Sequence, residues 1–298
     1  MHILLAVDGS EGGHLAVDTL AHSTFAPGTR VTVLFVLTRY VPSDSPMPDA
    51  FLTALREDEN ARADQVVQEA AKALAPHEFD LDIRVEDGHP AAKIIEVAEA
   101  VGADMIMLGA LGVTGWLRAV LGSTSLTVVR HAPCPVWVVK RPPKAARFDV
   151  LATSDGSANA RHALDFLLDL PLREDTVLHL LHVVPALNQQ LQLTGSEVDP
   201  PVLAPLYKVG EHFKSHGEQV LKADSERMQK RFSDVRAFTL EGDARHKIMD
   251  AAQEVEADLI VMGTKGLSGI KEFFLGSVSH KVLKHAATSI LVVPLPHE

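Results

Sequence analysis

The sequence predicts an α/β protein built of two similar domains in tandem, each a parallel sheet with helices on both faces. Three observations carry this prediction. Two blocks of sequence each occur twice: Asp8-Gly-Ser returns as Asp155-Gly-Ser, and Gly109-x2-Gly112 returns as Gly263-x2-Gly266. Short apolar runs alternate with longer amphipathic ones through both copies, the pattern of strands joined by crossover helices. The 298 residues amount to two ordinary domains of about 150 residues each.

Ile3 to Val7 is nearly all apolar, as a strand buried on both faces requires. Gly12 to Ser23 carries Leu15 and Leu20 at helical spacing, and Val31 to Leu37 is a β-branched run. Asp49 to Ala75 is a long charged helix with Leu52, Leu55, Val66, Ala70 and Leu74 as its stripe. Leu81 to Val85 is a strand, and Pro90 to Val101 a helix whose first position tolerates proline. Met105 to Leu108, Ser123 to Arg130 and Val136 to Val139 complete the copy as strand, helix and strand. The second copy reads Val150 to Ser154, Ala158 to Leu168, Val177 to Val184, Leu206 to Arg231, Val235 to Leu240, His246 to Val255, Leu259 to Met262, Val278 to Lys284 and Ile290 to Val293. Leu121-Gly-Ser123 and Leu275-Gly-Ser277 keep the later offset of 154 against the earlier 147, so the second copy has gained seven residues. The polar stretch from Pro185 to Pro205 is the expected place. The expected domains are 1–140 and 148–298. The linker at 141–147 has two prolines and flanking cations that suit an exposed join.

Composition narrows the function. The hydrophobic fraction is 46% and the charged fraction 22%, which excludes a disordered chain. The net charge is −11, and both halves share it: 12 basic and 18 acidic residues up to Lys144, then 16 and 21. No half carries the basic surface that a phosphate backbone needs, so no nucleic-acid partner is expected. The opening residues lack the basic start of a signal peptide, and no run reaches the roughly 20 apolar residues of a membrane span. A single cysteine, Cys134, leaves no internal disulfide and suits a reducing, cytoplasmic setting.

In open parallel sheets, ligands bind beyond the carboxyl ends of the strands, where the strand order reverses. Two features belong there: Asp8-Gly9-Ser10 with its copy, and Gly109-x2-Gly112-x9-Gly122-Ser123 with its copy ending in Gly276-Ser277. Glycines after a strand permit close approach of a ligand and positive φ. Gly-Ser at a helix start directs unpaired N–H groups and the positive helix end at an anion, and the Ser123 and Ser277 hydroxyls add donors. The spacing matches neither the P-loop nor the dinucleotide fingerprint, and no lysine follows the last glycine.

These segments, with closing strands such as Cys134-Pro-Val-Trp-Val-Val and Ser289-Ile-Leu-Val-Val-Pro, resemble the universal stress protein family, here as a tandem member. The resemblance covers nearly the whole chain. It implies flavodoxin/Rossmann-like domains with five-stranded parallel sheets of order 3-2-1-4-5. Their last strands would pair within one chain as an intramolecular pseudo-dimer, with a further homo-dimer left open. Its ATP-binding branch implies a nucleotide site for ATP, ADP or AMP with Mg²⁺ on the phosphates. The implied residues are Asp8, Leu37, Gly109, Gly112, Gly122 and Ser123, then Asp155, Val184, Gly263, Gly266, Gly276 and Ser277. Ala110 and Leu111 stand where the second copy has Thr264 and Lys265, so weaker or more selective binding is expected in the first.

The remaining chemistry-bearing residues read as structural. His212 and His216 share a helix face at the i, i+4 spacing that suits a metal, but lack an adjacent cysteine, so an exposed polar face is expected and no metal site is assigned. His179 and His182 point to opposite faces of a strand, and a satisfied core role suits His182. His131 and His285 end helices, where a cation suits the dipole. Cys134 corresponds to Thr288 in the second copy, against a redox role. No Ser-His-Asp arrangement around Ser10 or Ser157 repeats in both copies, so no catalytic residue is assigned. Binding as a conformational or assembly switch in a stress response is the leading reading. An interaction scaffold with one or both sites lost, or a slow ATPase using Asp8 or Asp155 with Mg²⁺, are the alternatives.

Overall fold

The computed structural model describes residues 1–38, 49–110, 121–144, 147–186, 200–266 and 275–296. They form two compact units, one of Met1–Pro142 with Ser289–Glu298 and one of Pro143–Thr288.

In the first unit the chain runs β1 (His2–Val7), α1 (Glu11–Ala21), β2 (Arg30–Leu37), α2 (Asp49–Leu74), β3 (Asp80–Asp87), α3 (Pro90–Val101), β4 (Met105–Gly109), α4 (Ser123–His131) and β5 (Val136–Val139). The sheet order is β3-β2-β1-β4-β5, as the resemblance implied, with every neighbouring pair parallel. The central strand explains the all-apolar run of the sequence. Ile3, Leu4 and Leu5 are fully buried, because helices cover both faces. The edge strand β3 alternates exposed and half-buried residues, and its outward charges include the Arg84–Asp82 pair at 2.7 Å. A sixth strand, β10 (Ser289–Val293), lies antiparallel on β5, pairing Leu291 with Trp137. The Ser289 hydroxyl accepts from the Lys140 N–H at 3.1 Å and lies 3.2 Å from the Arg141 carbonyl, to which it donates.

The second unit contains β6 (Asp149–Thr153), α5 (Ala158–Asp169), β7 (Val177–Val184), α6 (Pro200–Met228), β8 (Asp234–Glu241), α7 (Ala244–Glu254), β9 (Leu259–Gly263) and α8 (Ser277–His285). Its sheet runs β8-β7-β6-β9, all parallel. In both units the order reverses beside the first strand of the repeat, between β1 and β4 and between β6 and β9.

Three details differ from the sequence reading, each for a local reason. Helix α7 starts at Ala244, not His246, because the Asp243 carboxylate caps it by accepting from the Arg245 N–H at 2.8 Å. The apolar stripe of α2 is buried only from Ala63 onward, through Val67, Ala70 and Leu74; Leu55 is 38% exposed. At 26 residues, the helix is about 39 Å long. An eight-residue strand spans about 26 Å, so the helix outruns the sheet it covers. The described part of the join is also tied down. The Lys144 N–H donates to Asp258, and its ammonium reaches the Glu256 carbonyl and carboxylate, both at 2.8 Å. Arg147 forks onto Asp149 at 2.8 and 2.9 Å.

Asp258, 3% exposed, also accepts from the Asp149 N–H at 2.9 Å, which starts β6. Asp258→Ala leaves two N–H groups without their acceptor and is expected to cost about 1–3 kcal/mol, read as a lower urea midpoint at unchanged slope. An unchanged midpoint would show that these bonds contribute nothing net.

Candidate nucleotide site

Each unit carries a cleft at the carboxyl ends of its strands, beside the reversal of strand order. The first, of about 170 Å³, is lined by Asp8, Gly109, Gly122 and Ser123 among others. The second, of about 320 Å³, is lined by Asp155, Gly263, Gly266, Gly276 and Ser277 among others. Nine of the twelve residues expected at the sites are thus brought together.

The strand-to-helix turns fix the aspartates. Gly9 (φ 73°) and Gly156 (φ 78°) take the left-handed conformation. An added Cβ there would also stand 2.8 Å from Val66 or 3.0 Å from Val220. Ser10 and Ser157 are N-caps, their hydroxyls accepting from the N–H groups of Gly13 and Ala160, both at 3.1 Å. That duty accounts for both serines without a catalytic role. The carboxylates accept from the same serines' N–H groups at 3.0 Å in each unit.

The glycine segments are closed at their base. The Gly122 N–H donates to the Ala110 carbonyl at 2.8 Å, and Gly276 to Thr264 at 2.7 Å. Ser125 and Ser279 donate their hydroxyls to the carbonyls of Gly109 and Gly263 at 2.8 and 2.9 Å. The first N–H groups to find a carbonyl of their own helix belong to Leu126 and His280. Those of Ser123 to Ser125, and of Ser277 to Ser279, therefore lie at the mouth of each cleft with the positive helix end behind them.

The glycines serve closeness here, not positive φ, which corrects one expectation. At Gly109 a Cβ would stand 2.3 Å from the Gly12 carbonyl carbon, so β4 touches the first turn of α1. At Gly263 the clash is with Asn159 at 2.9 Å. At Gly266 a Cβ would meet the Asp155 carboxylate at 2.6 Å, and at Gly276 the Thr264 carbonyl at 3.0 Å. Gly109 and Gly263 therefore pack the fold, and Gly266 and Gly276 shape the second cleft.

Leu37 and Val184 are not among the lining residues. Their carbonyls accept from Gly88 and Gly242, both at 2.9 Å. Leu34, Val36, Leu181 and Val183 line the clefts instead, because side chains alternate along a strand. Gly112 and Leu111 lie outside the described residues. The sequence reading missed Ser125 and Ser279, and Ile94 and Ile248 on α3 and α7; their recurrence at one offset was the available signal.

The two clefts differ in polarity. Thr153 in the second occupies the place of Ala6, and Lys265 lines it. His212 and His216 are exposed on α6, and no group of three metal-ligating side chains occurs among the described residues. His179 bonds Asp149 at 3.0 Å, and His182 bonds the Ser154 carbonyl at 2.8 Å, so both are partnered in the interior. His131 and His285 close α4 and α8. Cys134 is buried, and burial pushes its thiol up to about 12, which leaves almost no thiolate near neutral pH.

Each half of the chain is thus a parallel α/β domain with an aspartate and a helix N-terminus at the point of strand reversal. The chain belongs to the universal stress protein family, whose model matches residues 1–140 and 148–294. A universal stress protein of Mycolicibacterium smegmatis is 26% identical over 299 residues, covering 98% of this chain and 96% of its own. The universal stress protein YxiE of Bacillus subtilis is 31% identical over 147 residues, 48% of this chain and 97% of its own. Among solved structures, a universal stress protein from Archaeoglobus fulgidus shares the fold with a TM-score of 0.68 at 19% identity, covering 98% of both chains. No described helix is long and apolar enough to cross a membrane.

Gly109→Ala is expected to destabilise the first unit by about 1–3 kcal/mol, because the Gly12 backbone leaves the methyl no space. Gly28→Ala, where a Cβ meets nothing within 4 Å but φ is 79°, isolates the cost of strain alone. Denaturant midpoints of the two variants separate the effects.

Proposed function

We propose that each unit binds one nucleotide, ATP or its products ADP and AMP, and that binding acts as a conformational or assembly switch in a stress response, not as turnover. The observation that carries this reading is the repeated cradle. In both units, a helix N-terminus with three uncommitted N–H positions is clamped to the end of a strand, opposite a fixed aspartate. The phosphates would lie at Gly122-Ser123 and Gly276-Ser277, and the nucleoside beside Asp8 and Asp155, with Leu37 and Val184 offering backbone at the rim. The proposed assignment includes Gly109, Gly112, Gly263 and Gly266 as the rest of each cradle. Lys265 places a cation in the second cleft, which supports tighter binding there.

Mg²⁺ would come with the phosphates and keep most of its water. One aspartate per cleft, with no cluster of three ligating side chains among the described residues, suits an ion held mainly by its ligand. Among the described residues, neither cleft's lining includes a histidine or arginine, which supports binding over fast hydrolysis. The acidic composition supports a partner other than nucleic acid, and the single cysteine supports a cytoplasmic setting.

ATP at 100 times its Kd is expected to raise the unfolding free energy of the binding unit by about 2.7 kcal/mol, read as a shift in melting temperature. Gly276→Val, which forces a side chain onto the Thr264 carbonyl, is expected to remove the part of the shift that belongs to the second unit. No shift in the intact chain overturns the reading.

A further inference from the structure

From Ser154, which lines the second cleft, a buried polar group that the first unit lacks extends to His182 on β7 and Asp224 on α6. Ser154, His182 and Asp224 are 3%, 7% and 6% exposed. The Ser154 hydroxyl donates to Asp224 on α6 at 2.6 Å and accepts, at 3.4 Å, from the Gly156 N–H. The Ser154 carbonyl accepts from His182 Nδ1 at 2.8 Å. The network thus grips the residues on either side of Asp155. By repeat alignment the first unit has Val7, Phe35 and Ala70 at these places, all buried. It has Ala63 where α6 has Gly217. The glycine is needed, since a Cβ on it would stand 2.6 Å from the His182 ring.

Taking the nucleotide reading of the clefts as its basis, we propose that Ser154, His182 and Asp224 are positioning residues for the second cleft, and that through them this cleft, unlike the first, weakens its hold on nucleotide in acid. A carbonyl only accepts, so the bond to Ser154 puts a proton on His182 Nδ1; burial, which disfavours a second proton, leaves the ring neutral near pH 7. The bare Nε2 then faces Gly217, 3.0 Å from where a Cβ would be. Asp155 on β6, His216 and Asp224 on α6 bear on the ring. Arg227 stands 3.6 Å from Asp224, and the β8 neighbour Thr239 is uncharged. Burial holds the His182 pKa below its ordinary value, with His216 pressing the same way; the Ser154 carbonyl and the two aspartates oppose it. A second proton puts charge and a new N–H against α6 and draws the ring toward the carboxylates. Either response disturbs Ser154 and, through it, Asp155. By linkage, a ligand that needs Asp155 in place disfavours that proton, so binding and protonation oppose each other.

The test is a calorimetric titration of the full chain with ATP and Mg²⁺ at pH 7.5 and 5.5. The second cleft is identified as the site lost in Gly276→Val. Its affinity is expected to fall severalfold, short of tenfold because a ring with a pKa below 6.5 is only partly charged at pH 5.5, while the first cleft changes little. His182→Gln, which keeps a donor for the Ser154 carbonyl but cannot charge, is expected to abolish the fall. In the unsubstituted chain, NMR titration of the His182 ring should give a lower pKa with nucleotide bound, which decides the matter even if the variant does not fold. A fall that persists in folded His182→Gln, or a ring pKa unmoved by nucleotide, overturns the inference and leaves the nucleotide reading standing. No binding at either pH overturns both.

Discussion

The hydrogen bond on which both sites depend is the one that closes the base of each glycine segment. The Gly122 N–H to the Ala110 carbonyl, and Gly276 to Thr264, join the start of a helix to the end of a strand at 2.8 and 2.7 Å. With the Ser125 and Ser279 hydroxyls on the preceding carbonyls, these bonds make each segment a closed loop. Its length then follows from where it starts and ends. The helix cannot begin elsewhere, so its free N–H groups and positive end face the cleft whatever the intervening residues do. The demand for glycine follows from the same closeness. Gly109 against Gly12, and Gly276 against Thr264, leave no volume for a side chain.

Duplication let one constraint be kept while others drifted. The N-cap serines, the left-handed Gly9 and Gly156, and the clamp serines recur in both units because each holds backbone that has no alternative partner. The three aligned buried positions obeyed a weaker rule, that they be filled and satisfied. Val7, Phe35 and Ala70 fill them in the first unit. Ser154, His182 and Asp224 fill them in the second, where the Ser154 hydroxyl bonds Asp224 at 2.6 Å and His182 Nδ1 bonds the Ser154 carbonyl at 2.8 Å. Polar replacements of this kind are tolerated only when made together, since a lone buried carboxylate would cost several kcal/mol.

Most of the fold was legible in the sequence because parallel strands buried on both faces leave unmistakable apolar runs. Ile3 to Val7 and Leu259 to Met262 could hardly be placed otherwise. Repetition did the rest, turning two weak glycine patterns into one specific one. The parts that escaped depend on contacts between distant residues or on ends. Val36 and Val183 line the clefts beside the expected Leu37 and Val184, because side chains alternate along a strand. The start of α7 was set by Asp243, a cap that apolar periodicity does not reveal. Leu55 has helical spacing but lies beyond the sheet that would bury it. The Ser154–Asp224 bond spans 70 residues of sequence, and no local pattern announces it.

The central claim is that the two cradles hold nucleotide. It is tested most directly by denaturing the purified chain and counting the nucleotide released, by mass, per chain. Two per chain is the expected result, or one where only the second cleft, which carries Lys265, survives purification loaded. Zero, with none recovered after incubation with ATP and Mg²⁺, would contradict the account and leave the duplicated fold as a scaffold.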